Sequence, residues 1–276
     1  MSVFECKSSK TLSSVSGCHS QSTIRKAKLR CLSGVMVAAF CMFGTTMVFA
    51  DQGEGPQELP KPKFKTTPPL FMDWNFDKDQ IGEQPGGFNQ GVNGQAGGQW
   101  LVTKEEAAPS KTQVIEQKGT CAEASCYQIL LGEGTDVSYV DVSVRMKLVL
   151  GTASGKAGIV LGAQDDKNFY AAVVTPKTNT IEAYVVRDGK ITSFGEAKIK
   201  PKSEEWHYLR VQRSPMISHD LFNVFFDRHM LLSLSDSTFK EGKVGLVTWG
   251  DGAFAFDNLR AVEYLTNLPL SRPPAY

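Results

Sequence analysis

From Val140 to Leu150 the chain reads VDVSVRMKLVL, with apolar and polar residues in alternation. Val140, Val142, Val144, Met146 and Leu148 fall on one side, and Asp141, Ser143, Arg145 and Lys147 on the other. Successive side chains of a β-strand point to opposite faces, so the run predicts a strand with one face in a core and one toward solvent. Shorter runs repeat the signal: CYQILL, GIVLGAQ, NFYAAVVT, TIEAYVVRD, WHYLRVQR, DLFNVFFD, LLSLS, KVGLVTW and FAFDNLRAVEY. Clusters of Gly, Asn, Asp and Pro separate them, and no segment of helical length carries an apolar stripe. Many short strands with frequent turn signals predict an all-β domain of antiparallel sheets, a sandwich or a barrel.

Two turns are legible. Asp188-Gly189 stands between two apolar runs, and both residue types tolerate positive φ, which a two-residue hairpin turn demands. Asp227-Arg228 separates LFNVFF from MLLSLS in the same way.

Residues 1–50 read as a signal peptide. Arg25, Lys26, Lys28 and Arg30 make a positive region, CLSGVMVAAFCMFGTTMVFA follows without a charge, and small Ala50 ends it with Val48 two before. Retention of that segment as a membrane anchor is the alternative. Residues 51–69 hold five prolines and read as an extended linker, 70–265 as the sandwich domain, and 266–276 as a tail. The formal charge of +1 conceals a split, because six of the 30 Lys and Arg but only one of the 29 Asp and Glu precede Asp51. The mature part is therefore mildly acidic, and no basic run interleaves with aromatics, so nucleic acid is not an expected partner. Four cysteines leave with the leader; the remaining pair, Cys121 and Cys126, is expected to form a disulfide in an oxidising compartment. No second cysteine pair or histidine stands at zinc-ligand spacing beside them.

In this strand order the chain resembles the concanavalin A-like lectin/glucanase superfamily, the laminin-G-like jelly rolls, and within it the bacterial 3-keto-disaccharide hydrolase-like domain family. The residues that carry the resemblance are WNFDKDQIGEQPGGF at 74–88, QW at 99–100, GIVLGAQDDKNFYAAVV at 158–174, EEWHYLRVQR at 204–213, VFFDRHMLL at 224–232 and GKVGLVTWGDGAFAFDNLRAV at 242–262. It implies a two-sheet jelly-roll sandwich whose opening Phe-Asp segment pairs with a closing Phe-Asp-Asn strand. It implies fold more than activity, since one fold hosts many chemistries.

Glycoside hydrolysis needs two carboxylates across the scissile bond. The Glu-x-Asp-x-x-Glu strand of glucanases with this fold is absent here; Glu204 and Glu205 are adjacent and point to opposite sides, and Glu182 has no acidic neighbour at strand spacing. Asp227 reads as a turn residue and His207 as a histidine at the core edge, on the face of Leu209 and Val211. No catalytic residue is assigned.

Sugar recognition uses aromatic faces against the apolar side of a pyranose, with charged or amide groups for hydroxyls. Alternation in WHYLRV puts Trp206, Tyr208 and Arg210 opposite Leu209 and Val211, hence on an outer face, with Tyr170 and Tyr184 placed to join them. Trp249 and Asp251, in Trp-Gly-Asp-Gly, are expected in a loop as a stacking platform or as a plug over the sandwich end. Asp77 and Asp257 are the candidate ligands of a structural calcium, since first and last strands are neighbours in this fold. The expectation is an exported glycan-binding protein, periplasmic or extracellular, with carbohydrate as partner and no membrane span once the leader is removed. A 3-keto-disaccharide-type glycoside hydrolase and a protein-binding adhesion module are the alternatives.

Overall fold

The computed structural model describes residues 70–94, 98–119, 125–148, 155–202, 204–216 and 218–264. These belong to the unit Pro62–Tyr276. The leader, the linker, the tail and Cys121 lie outside the described residues.

Fifteen strands follow one another among the described residues. They are β1 (Phe71–Trp74), β2 (Phe88–Asn93), β3 (Gln99–Lys104), β4 (Gln113–Gly119), β5 (Tyr127–Gly132), β6 (Val140–Leu148), β7 (Lys156–Ala163) and β8 (Phe169–Thr175). After a 3-10 turn at Pro176–Thr178 come β9 (Thr180–Arg187), β10 (Lys190–Lys198), β11 (Trp206–Pro215), β12 (Asp220–Phe226), β13 (His229–Asp236), β14 (Lys243–Trp249) and β15 (Gly252–Glu263).

Two antiparallel sheets result. The first runs β13-β12-β11-β6-β15-β4-β3, with β1 on β15; the second runs β10-β9-β8-β7-β14-β5-β2. Of the sandwich and the barrel that the alternation leaves open, the chain forms the sandwich, as the family resemblance implies. The opening strand pairs with the closing one, Phe71 opposite Val262 and Trp74 opposite Leu259.

The core lies between the sheets and collects the inward half of each alternating run. Val140, Val142, Val144 and Met146 of β6 meet Ile159 and Leu161 of β7, Leu209 and Val211 of β11, and Phe254 and Phe256 of β15, all nearly free of solvent contact. Each such side chain contributes roughly 1.5–3 kcal/mol by leaving water. The second sheet is apolar on its other face as well, where Tyr127, Ile129, Val160, Phe169, Val173, Val247 and Trp249 form a separate buried cluster. That is why β7, β8 and β14 read as continuous apolar runs instead of alternating ones.

The two hairpin turns form where the sequence places them. Asp188 and Gly189 take φ of 51° and 77°, and Asp227 and Arg228 take 46° and 70°, so both turns keep positive φ at both central residues. Asp227 also ties the turn down: its carboxylate accepts from the Tyr208 N–H at 2.9 Å and lies 2.8 Å from His207 Nδ1. His207 is buried, stacks on Phe226 with ring centres 5.0 Å apart, and accepts at Nε2 from the Lys202 N–H.

Candidate functional site

Trp206, Tyr208, Arg210 and Gln212 project from the outer face of β11, half-buried, while His207, Leu209, Val211 and Arg213 are buried on the other side. The partner strand supplies the rest of the face, since Trp206 stands opposite Lys147, Tyr208 opposite Arg145 and Arg210 opposite Ser143 of β6. Arg145 covers the Tyr208 ring at 5.0 Å, and Arg210 covers Phe225 of β12 at 5.3 Å. Arg210 is clamped by Asp141, with Nε 2.8 Å from Oδ1 and Nη2 donating to Oδ2. Gln212 and the Tyr264 hydroxyl donate to the same Oδ2 at 3.0 and 3.4 Å. Asp141 holds the Arg210 guanidinium even more firmly protonated than usual. The chemistry of this face is a half-buried indole beside a charged fork fixed in one orientation, with Nε and Nη2 engaged by Asp141.

Tyr170 does not belong to that face. It is an inward residue of β8, 1% exposed, with its hydroxyl donating to Asp236 at 2.5 Å and its ring packed on Phe222, Phe239 and Phe194. Alternation alone could not place it, because β8 is buried on both faces. Trp249 is likewise not in a loop: it is the last residue of β14, 3% exposed, in an aromatic cluster with Tyr127, Phe169 and Tyr184. The turn starts only at Gly250, whose φ of 68° breaks the strand, and leaves Asp251 exposed.

Beside Trp249, on the second sheet and not on the β11 face that Tyr184 is expected to join, lies a polar group whose connections the sequence pattern does not show. Lys156 donates to Glu182 at 2.8 Å and to the Tyr184 hydroxyl at 2.6 Å, and Thr175 donates to the same Glu182 oxygen at 2.5 Å. Burial pushes the Glu182 carboxyl up, but the hydrogen bonds from Lys156, Thr175 and Tyr184 outweigh it and leave the carboxyl below its ordinary range. The partner of Glu182 is thus a lysine on the next strand but one, a relation only sheet order reveals.

Asp77 and Asp257 are brought together through Ser110. The Ser110 N–H donates to Asp257 Oδ2 at 2.7 Å, and its hydroxyl reaches Asp77 Oδ1 at 3.5 Å. Burial raises the Asp257 carboxyl above its ordinary range, against the bonds from Ser110 and Asn258, and the charge of Asp77 adds to the rise. Asp77 Oδ2 is buried with no hydrogen-bond partner. Close by, the backbone carbonyls of Phe76, Asp77 and Asp79 converge on the side-chain amide of Gln113, at 2.6, 3.2 and 3.2 Å from its inward-turned nitrogen. No cluster of three His, Cys, Asp or Glu at ligand distance occurs among the described residues. A cation here would have to displace the Gln113 amide from those carbonyls and take Asp77 beside them, a donor set of the hard oxygen type that calcium takes.

No family model matches the chain. A levanase of Bacillus subtilis (strain 168) is 23% identical over 147 residues, which cover 52% of this chain and 20% of that protein. The chain thus spans about a fifth of the length of this curated relative. Among solved structures, the carbohydrate-binding module CBM66 from Bacillus subtilis superposes with a TM-score of 0.50 at 17% identity, covering 61% of this chain and 95% of the module. The lumenal domain of VIP36 in its Ca2+-bound form superposes with a TM-score of 0.45 at 11% identity, over 62% of this chain and 84% of that domain. The likeness to the carbohydrate-binding module shows the fold alone, a two-sheet jelly-roll sandwich. No helix among the described residues is long and apolar enough to cross a membrane.

Proposed function

We propose that the chain is an exported glycan-binding sandwich and that the glycan lies along Trp206, Tyr208 and Arg210. The observation that carries the reading is the Arg210–Asp141 clamp beside a half-buried Trp206 on one strand face. A guanidinium already held by a carboxylate loses little freedom when a sugar hydroxyl or acid binds it. The indole offers the apolar surface that a pyranose ring covers. From Trp206 to Arg210 the strand extends about 13 Å, room for more than one sugar ring. The shared fold with a carbohydrate-binding module and the partial likeness to a levanase support the same class of ligand.

Calcium at Asp77, Asp257 and the surrounding carbonyls is part of this proposal, as a brace between β1, β15 and the loop that carries Ser110. A glycan array probed with the mature protein tests the binding claim, with retention on at least one glycan expected and none anywhere contradicting it. Release of reducing sugar from a bound glycan would instead favour the glycoside-hydrolase reading.

A further inference from the structure

Three connections, β5 to β6, β11 to β12 and β13 to β14, meet at one end of the sandwich around a cleft of about 580 Å³. Tyr139, Ser138, Asp220, Ser237, Lys240 and Glu241 line it. Its base is built on an unusual residue. Arg213 points inward from β11 and is fully buried, with its guanidinium over the rings of Tyr170 and Phe222 at 5.6 Å each. Its Nε donates to Asp220 Oδ2 at 2.9 Å, and its Nη2 donates to the same oxygen and to the Phe239 carbonyl.

A buried charge is costly unless paired, so Arg213 and Asp220 are fixed as a unit. The pairing engages one oxygen of Asp220 and leaves Oδ1 as an acceptor on a carboxylate that borders the cleft. The charges balance, because Arg213 offsets Asp220 and Lys240 offsets Glu241. Such a cleft does not favour an ion of either sign. It offers two carboxylates to accept hydroxyls, the Lys240 ammonium, the His219 imidazole, serine hydroxyls and the Tyr139 hydroxyl to donate or accept, and the Tyr139 ring with Met216 as apolar surface. That is the chemistry that recognises a neutral polyol, and the volume suits a small ligand.

We infer that this end cleft is a second saccharide site, taking one neutral monosaccharide unit, independent of the strip on β11. Asp220→Asn is a poor probe, since it would strand the buried Arg213. Tyr139→Phe and Glu241→Gln alter only the cleft. The full chain, labelled with 15N, is titrated with glucose, galactose, mannose, fructose and xylose, each into the tens of millimolar, while amide resonances are followed. At least one sugar is expected to shift Tyr139, Asp220 and Glu241 saturably. The two variants are expected to weaken that response about tenfold at unchanged melting temperature, and Trp206→Ala to leave it alone. No saturable shift with any of the five sugars overturns the inference. So does a response that both variants leave intact, or one confined to the β11 strip.

Discussion

Arg210 and Asp141 meet across neighbouring strands as a two-pronged pair, Nε lying 2.8 Å from Oδ1 and 3.1 Å from Oδ2. The geometry separates binding from stability. The pair, 29% exposed at Arg210 and 18% at Asp141, lies between a surface pair worth about 0–1 kcal/mol and a buried one, and Asp141 keeps the Gln212 and Tyr264 bonds when the guanidinium is gone. Arg210→Ala is therefore expected to melt within a few degrees of wild type while losing about tenfold or more in glycan affinity. A variant that melts much lower yet keeps its affinity would assign Arg210 to the scaffold.

Arg213 and Asp220 form the opposite case. Arg213 is fully buried, so breaking its pair leaves an uncompensated buried charge and costs about 3–5 kcal/mol. Asp220→Ala is expected to lower the denaturation midpoint accordingly, whereas Lys198→Ala, on an exposed side chain paired only at 3.7 Å with Glu196, is expected to change nothing. Equal effects of the two substitutions would contradict the assignment.

The Lys156–Glu182 pair makes an acid-sensitivity prediction. Glu182 is lowered in the fold, so its contribution is present above the unfolded carboxyl value of about 4.3 and is lost as pH falls through the lower folded value. Lys156 is raised despite burial, through Glu182 and Tyr184, so its share is present below about 10.4 and lost as pH rises through the folded value. Chemical denaturation from pH 7 downward should show wild type losing its advantage over Lys156→Met on the acid side. A constant gap between the two proteins would refute this.

The oxygen cluster around Asp77 predicts calcium-dependent stability. Saturating calcium should raise the melting temperature by several degrees over the chelated protein, and Asp77→Asn should abolish the increment. Identical melting with calcium and with chelator would leave Gln113, with its nitrogen turned inward, as the group that satisfies those carbonyls.

Mass spectrometry of secreted protein is expected to find an N-terminus near Asp51 and a Cys121–Cys126 bond. The loop is short, so its stabilisation should fall at or below about 2–4 kcal/mol. Two free thiols in denatured, unreduced protein would rule the bond out.

Most of the fold was legible because one-sided strands announce their faces. The period-two run of β6 and the WHYLRV strand both orient as read, and the Asp-Gly hairpin forms where expected. β4 and β10 carry too few apolar residues to stand out, as QVIEQKG and KITSFGEAK show. Tyr170 sits elsewhere than expected because alternation cannot tell the inter-sheet core from the second cluster on strands buried on both faces, whereas the Trp-Gly-Asp-Gly run suggests a loop at Trp249 although the strand breaks only at Gly250. Arg213 was invisible as a core residue, since nothing local to an arginine says that a carboxylate seven residues on will meet it there.

Whether the β11 strip holds a glycan is decided by calorimetric titration of the best array ligand into wild type, Trp206→Ala and Arg210→Ala. Both variants are expected to stay folded and to lose about tenfold or more in affinity. Wild-type affinity in both folded variants would contradict the proposed site.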